Sequence, residues 1–309
     1  MIDYTSDLHL DFVLGNKGQH TERRSKLIKV KMGFKSTDAE LLLIAGDLGH
    51  YNKQNIEFLK EMTKQYRYII LIHGNHDLYL LSKSQQDKYK GDSFNRLREF
   101  REAIKELENV YYLDGEMIEI EGIKIAGASL WYDYTYGLER GLQAWEIQKY
   151  FMENSNDSKK IMKPTINVPH VYDHFSKPKT FIDNLEYAAE QKAKLLKVVK
   201  QGDPDIIISH IPPDHALCEG TGKTKNDPLL SGSLYSCDTS EFDPYIKGKV
   251  WIFGHVHDVV HTEKRGCQFL AAPFGYYGRE KNNPFGTIEI DKVKCKNISW
   301  KKTTIQKEK

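Results

Sequence analysis

An α/β fold is predicted by two observations: short apolar runs end in clusters of polar residues, and segments with helical spacing separate those runs. Met1–Thr5 leads into Ser6, Asp7, Leu8 and His9, and Glu40–Ala45 leads into Gly46 and Asp47. Tyr68–Ile72 leads into Gly74, Asn75, His76 and Asp77, and its unbroken β-rich character suits a strand buried on both faces of a parallel sheet. Between the second and third runs, Ile56, Leu59, Lys60 and Thr63 fall at helical intervals. Phe94, Leu97, Phe100, Ile104 and Leu107 mark an amphipathic helix, followed by a hairpin turning near Glu121 and Gly122.

Further along, Phe181, Leu185, Ala188, Leu195, Leu196 and Val199 predict another helix. Asp205–Ser209 then reads as a buried strand ending in His210, and Val250–Phe253 as one ending in Gly254, His255, Val256 and His257. From Tyr134 to Lys179 the pattern breaks into polar, aromatic and Pro-containing sequence without a clear period, as expected of a lid or insertion. A single domain spanning 1–309 is expected, with this insertion at 134–179.

Composition narrows the partners. The 309 residues are 39% hydrophobic, enough for a sizeable core, and the net charge is +2 in a chain that is 28% charged. That balance argues against a dedicated duplex-binding protein. No apolar run approaches the roughly 18 residues of a membrane span, and no signal peptide precedes the first strand, so no membrane partner and a cytoplasmic location are expected. Cys218, Cys237, Cys267 and Cys295 form no C-x-x-C pair, which predicts free thiols. The Lys-rich segment from Lys292 to Lys309 reads as an edge strand and tail, with a nucleic-acid arm as the alternative. Gly220-Thr221-Gly222-Lys223-Thr224 resembles the end of a phosphate-binding loop, but Leu217 stands where that motif needs Gly and no strand precedes it. The stretch Ile211–Ser240 reads instead as a long active-site loop.

The polar strand ends form a set: Asp7, His9, Asp47, Asn75, His76, His210, His255 and His257. Gly, Asn and Asp after a strand also suit a helix-capping turn, and a lone histidine is often a buried structural side chain. Collected at strand ends, however, carboxylates and imidazoles suit moderately hard divalent ions. Residues two apart share a side of a strand, so Asp7 with His9, and His255 with His257, can approach a metal pair together.

In this order, D-x-H, G-D, G-N-H-D, H and G-H-x-H, the blocks resemble those of the calcineurin-like metallophosphoesterase superfamily, over most of the chain from Asp7 to His257. The stretches YTSDLHLDF and GASLWYDY are similar to a bacterial and phage branch. The N-P-R-G-Y element of that branch would correspond to Ala272-Pro273-Phe274-Gly275-Tyr276, so its Asn and Arg are replaced. The resemblance implies a four-layer α/β sandwich, with two mixed β-sheets flanked by helices, and a dinuclear metal centre. Asp7, His9 and His257 would hold one ion, Asn75, His210 and His255 the other, and Asp47 would bridge them, with His76 as the catalytic acid. Two divalent ions, manganese foremost and iron, nickel or zinc as alternatives, would supply a bridging hydroxide for attack on phosphorus.

The expected activity is hydrolysis of phosphate esters, phosphodiesters ahead of phosphomonoesters, with a nuclease as the further enzymatic alternative and a non-catalytic interaction scaffold as the alternative from another class. The substrate would be nucleotide-like if Tyr134, Tyr136, Trp145, Tyr150, Phe151 and Tyr172 of the insertion stack a base; otherwise these aromatics pack the insertion onto the body. Relatives often read G-D-x-x-D, whose second Asp can orient the catalytic histidine. Here His50 stands at that position, and Asp77 is the alternative support. Asp133, Arg140, His170 and His174 are weaker candidates near the insertion.

Overall fold

The structure is a computed structural model that describes residues 1–14, 38–163, 183–218, 227–278, 286–289 and 299–301. Its first sheet contains β1 (Ile2–Thr5), β2 (Leu41–Ala45), β3 (Tyr68–Ile72) and β4 (Val110–Tyr112), all parallel. The second begins with the hairpin β5 (Glu116–Ile120) and β6 (Ile123–Gly127), continues through parallel β7 (Ile206–Ile208) and β8 (Val250–Ile252), and adds β9 (Val260–Lys264) and β10 (Cys267–Ala271). Antiparallel β11 (Gly286–Glu289) and β12 (Ser299–Lys301) return to the first sheet. The strand orders are β12-β11-β1-β2-β3-β4 and β5-β6-β7-β8-β10-β9, so both sheets are mixed.

Alternation along the strands explains the four layers. Leu41, Leu43, Ile70 and Ile72 join Ile125, Ile206, Ile208, Val250 and Ile252 in a core between the sheets. Leu42, Ile44, Ile69 and Leu71 point the other way, onto Phe58, Leu59 and Met62 of the helix Asn52–Met62 and Phe100 and Ile104 of the helix Ser93–Ile104. On the outer face of the second sheet, Ile207, Trp251 and Phe269 meet Leu195 and Val199 of the helix Asn184–Gly202. The central strands β2, β3, β7 and β8 are thus covered on both sides, which is why their sequences are apolar throughout.

The helix Ser93–Ile104 stops before Leu107. Asn109 takes a positive φ of 59°, and its carbonyl accepts the Ile69 N–H at 2.9 Å, which sends the chain into β4.

The insertion is more regular than its sequence suggests, with helices at Thr135–Leu138, Ala144–Asn154 and Asp157–Lys160. Its longest helix buries only Ile147 and Phe151, one turn apart, leaving an apolar stripe too narrow for periodicity to reveal. Glu146 accepts the Gln143 N–H at 2.8 Å and closes the N-terminal turn. Residues 164–182 and 219–226, which include His170, Tyr172, His174, Phe181 and the Gly220–Thr224 stretch, lie outside the described residues, as does most of the Lys-rich C-terminal segment. Among the described residues no helix is long and apolar enough to cross a membrane.

Candidate active site and metal centre

Five strand ends converge. Asp7 and His9 follow β1, Asp47 follows β2, Asn75 and His76 follow β3, His210 follows β7, and His255 and His257 follow β8. Asp7, His9, Asp47, His255 and His257 all have positive φ, between 42° and 70°. Non-glycine residues in this region carry strain of about 1–3 kcal/mol each and persist where the surroundings over-determine them. Here the loops are stitched together: the Asp7 N–H donates to Gly46 O at 3.1 Å, the His9 N–H to Asp47 O at 3.0 Å, and the Gly254 N–H to His210 O at 3.0 Å. The Asp7 carboxylate accepts the His255 N–H at 3.0 and 3.1 Å. The motif glycines permit this approach. A Cβ on Gly74 would lie 2.7 Å from His210 Nε2, and one on Gly254 would lie 2.8 Å from both Ala45 O and Asp7 Oδ2.

The candidate ligands come together in overlapping groups. One atom each from Asp7, His9 and His257 lies within 4.8 Å of the others, and the same holds for Asp7, Asp47 and His210. His9 Nε2 and His257 Nε2 are 3.1 Å apart, and His257 Nε2 is 3.3 Å from Asp7 Oδ1. Asp47 lies between two imidazoles, Oδ2 at 3.8 Å from His9 Nε2 and Oδ1 at 3.5 Å from His210 Nε2. Asn75 Oδ1 is 3.0 Å from His210 Nε2. His255 is set apart: its ring packs on His210, but its Nε2 faces Leu234 O at 3.3 Å.

This donor set fits divalent cations. Ring nitrogens and carboxylate oxygens converge at short range, and His9 Nδ1 is buried without a hydrogen-bond partner. Burial, followed by repulsion from His257, lowers the His9 pKa to about 3, and burial with repulsion from His210 lowers His255 to about 3. Both imidazoles are therefore neutral at neutral pH, as ligation requires. Burial opposes ionisation of Asp7, yet His257, His210 and His9 together hold its carboxyl well below the usual range. Burial, then repulsion from Asp7 and Asp77, pushes Asp47 well above it. Two adjacent buried carboxyls that cannot both ionise call for a cation.

Metal-free protein is expected to lose stability as the pH falls from about 6.5. Below that value an unfolded chain protonates His9, His255 and His73, whereas burial holds their native pKa values near 3, 3 and 4. The unfolded state then binds more protons, so stability rises with pH across the window from about 3 to 6.5. Asp47, with its raised pKa, works in the opposite direction, but as one group against three. Thermal melts of chelator-treated protein check this; a Tm unchanged between pH 7 and 4.5 contradicts it. Saturating Mn2+ at neutral pH is expected to raise Tm by roughly 5 °C or more.

Beside this cluster a hydrogen-bonded chain runs through the interior. His76 Nδ1 is 2.8 Å from His50 Nε2, and His50 Nδ1 is 2.7 Å from Asp11 Oδ2. Tyr276 O–H lies 3.3 Å from His76 Nε2. His50, not Asp77, is therefore the neighbour of His76. Asp77 accepts instead from the backbone N–H groups of Asp47 at 2.9 Å, Gly49 at 3.2 Å and Gly74 at 2.9 Å, tying two motif loops together. The buried Arg96 guanidinium caps the same loops, donating to Gly49 O at 2.6 Å and Asp77 O at 2.7 Å.

A cleft of about 460 Å³ opens over the site, lined by Asp47, Asn75, His76 and His257 with Tyr150, Tyr235 and Tyr276. Tyr134 and Phe151 are buried in the core beneath, so only part of the insertion's aromatic set faces the cleft. Arg140 packs on the Tyr136 ring and Asp133 holds Lys192 and the Asp238 N–H, so neither lines the cleft. Asp11, Arg96 and Asp157 have site contacts that sequence reasoning missed. Arg96 stands next to Leu97 and one turn before Phe100, a position from which its burial was legible; Asp11 and Asp157 carry no such signal.

Face-to-face mixed sheets with carboxylates, imidazoles and an amide gathered at their strand ends define a metal-dependent hydrolase built on an α/β sandwich. A model of the calcineurin-like phosphoesterase family matches residues 2–259, and the chain belongs to that family, whose substrates are phosphate esters. No curated protein matches it. Among solved structures, it is similar to the phosphopantetheinyl hydrolase PptH from Mycobacterium tuberculosis, with 17% identity, 92% of this chain and 94% of that one covered, and a TM-score of 0.61. A protein of unknown function from Aquifex aeolicus shows 13% identity over 79% of this chain and 92% of its own, at a TM-score of 0.30. A hypothetical protein from Pyrococcus horikoshii shows 12% identity over 99% and 90%, at 0.38.

Proposed function

We propose that the protein hydrolyses small phosphodiesters at a centre of two divalent ions, manganese foremost. Asp7, His9 and His257 would hold one ion, Asn75, His210 and His255 the other. The observation that carries this reading is Asp47, whose two oxygens face imidazoles of the two different groups. The tautomers agree with ligation: the His210 Nδ1–H donates to Ala45 O at 2.9 Å, leaving Nε2 for a metal, and an Nε2–H on His255 donating to Leu234 O leaves Nδ1. When bound, such an ion pair supplies an activated water and neutralises charge for in-line displacement at phosphorus.

The protein's own groups manage the proton. Burial opposes ionisation of Asp11, but the hydrogen bond with His50 holds its carboxyl below the usual range. The carboxylate accepts from His50 Nδ1–H, so His50 Nε2 accepts from His76 Nδ1–H. His76 Nε2 is then left to face the leaving oxygen, where the Tyr276 hydroxyl now lies. Burial, followed by repulsion from His9 and His50, holds His76 well below its usual pKa. An anionic ester in the cleft, and Asp11 acting through His50, oppose that shift and favour the protonated acid.

Cleft chemistry supports a small diester. Among the described residues that line it there is no Lys or Arg to clamp the second charge of a monoester or to follow a nucleic-acid backbone. Tyrosines and the polar groups of Asn154, Ser155 and Asn156 offer neutral contacts to a second ester group. The test is hydrolysis of bis-p-nitrophenyl phosphate, p-nitrophenyl phosphate, cyclic nucleotides, a phosphopantetheinyl ester and single-stranded DNA by Mn2+-reconstituted protein. Higher kcat/KM on diesters with intact DNA is expected; a higher value on the monoester rejects the diester assignment.

A further inference from the structure

We infer that Asp157, carried by the insertion, is a positioning residue for the metal centre: its carboxylate turns the Asn75 amide so that Oδ1 faces the metal. The inference rests on the reading above in which Asn75 is a ligand. Asp157 Oδ1 accepts the Asn75 Nδ2–H at 2.9 Å and the Tyr79 O–H at 2.5 Å, while Oδ2 accepts the Tyr132 O–H at 2.9 Å. An ionised carboxylate only accepts, so the amide nitrogen must face Asp157 and the oxygen must face the other way. There it meets His210 Nε2 at 3.0 Å. The two ends of an asparagine amide are close in size, so either can be turned toward the cation, and only the oxygen has a lone pair to offer it.

Charge points the same way. Asp157 is buried, and among the described residues no Lys, Arg or His pairs with it. Its three side-chain partners are neutral donors, which leaves both carboxylate oxygens as acceptors. A carboxylate behind the amide also makes the amide oxygen a better ligand for a metal on the far side. Burial and then Asp157 push the phenols of Tyr79 and Tyr132 well above their usual pKa, so both remain donors. Asp157 is also held in place. Ser155 Oγ accepts its N–H at 3.0 Å, Lys160 O accepts the Leu80 N–H at 2.9 Å, and Ile147 and Phe151 anchor the preceding helix in the core. The insertion is thereby a structural part of the metal site as well as a wall of the cleft.

The bland alternative is that Asp157 only fastens the insertion to the body. Calorimetric titration of the chelator-stripped full chain with MnCl2 separates the two. Asp157→Asn, nearly isosteric, is expected to weaken one of two sites by about 10- to 100-fold and leave the other unchanged. It should add nothing in an Asn75→Ala background. Tyr132→Phe, which loosens the same anchor but keeps the carboxylate, should retain both sites. Unchanged binding in Asp157→Asn, equal weakening at both sites, or an equal effect of Tyr132→Phe overturns the inference. If Asp157→Asn does not fold, Asp157→Ser carries the same comparison. If Asn75→Ala itself leaves both sites intact, the reading of Asn75 as a ligand has failed, a result distinct from the failure of Asp157 alone.

Discussion

Asp47→Asn is expected to abolish metal retention and turnover together, with kcat/KM falling by about 10³-fold or more. The substitution removes the charge between the His9 and His210 imidazoles and places an NH2 donor where one of two accepting oxygens stood. Asp47 Oδ1 also accepts the His76 N–H at 2.9 Å, a bond the remaining amide oxygen can keep, so the turn stays in place while the NH2 faces His9. Elemental analysis after reconstitution with excess Mn2+ should find fewer than two ions per chain. A second measurement distinguishes lost metal from lost fold. Burial, then the proximity of Asp7 and Asp77, makes an ionised Asp47 unfavourable in metal-free protein, so the neutral Asn should leave the metal-free Tm at neutral pH unchanged or raised. Two tightly held ions in the variant would refute the bridging assignment.

His76→Ala should behave oppositely: both metals retained, with turnover of alkyl esters reduced by about 10²- to 10⁴-fold. His76 is buried with a ring nitrogen within 4.8 Å of His9 and Asp47, but its Nδ1 is tied to His50, and the Asp7–His9–His257 and Asp7–Asp47–His210 groups form without its side chain. Its backbone N–H, the part that holds Asp47, survives the substitution. On bis-p-nitrophenyl phosphate, whose leaving group departs readily without a proton, the loss should be roughly tenfold or less. His50→Ala should follow the same leaving-group pattern more weakly, because it removes the link to Asp11 and not the acid. Equal losses on both kinds of ester, or loss of metal, would reject the assignment of His76 as the proton donor.

The distribution of legible and illegible residues follows from how each is encoded. Asp7, His9, Asp47, His210, His255 and His257 stand directly after strands, and strand ends are written locally in apolar runs that stop at polar clusters. Parallel strands carry their C-terminal ends to one edge, so recognising the runs nearly suffices to place the candidate ligands together. The motif glycines are legible for a related reason, because close backbone approach leaves no room for a Cβ at Gly74 or Gly254. His50 was visible as a departure from the family pattern, but its direction was not. Whether it or Asp77 meets His76 depends on the turn His76–Leu78, which swings Asp77 back onto the N–H groups of a neighbouring loop.

By itself, then, the amino-acid sequence determined the strands and the types and order of the candidate ligands, because alternation, burial and turn chemistry act over a few residues. Tertiary structure alone decided the partners of the candidate site residues. Asp11 reaches His50 from 39 residues away and Asp157 reaches Asn75 from 82, each as a single acidic side chain on a short helix; Asp11 falls inside the YTSDLHLDF stretch, but nothing in that stretch names its partner, and Asp157 has no periodic or motif signal. A hydrogen bond of that kind exists only once the sheets have packed and the insertion has docked through Ile147 and Phe151. Its energy depends on the burial that packing creates, and no local pattern along the chain records that.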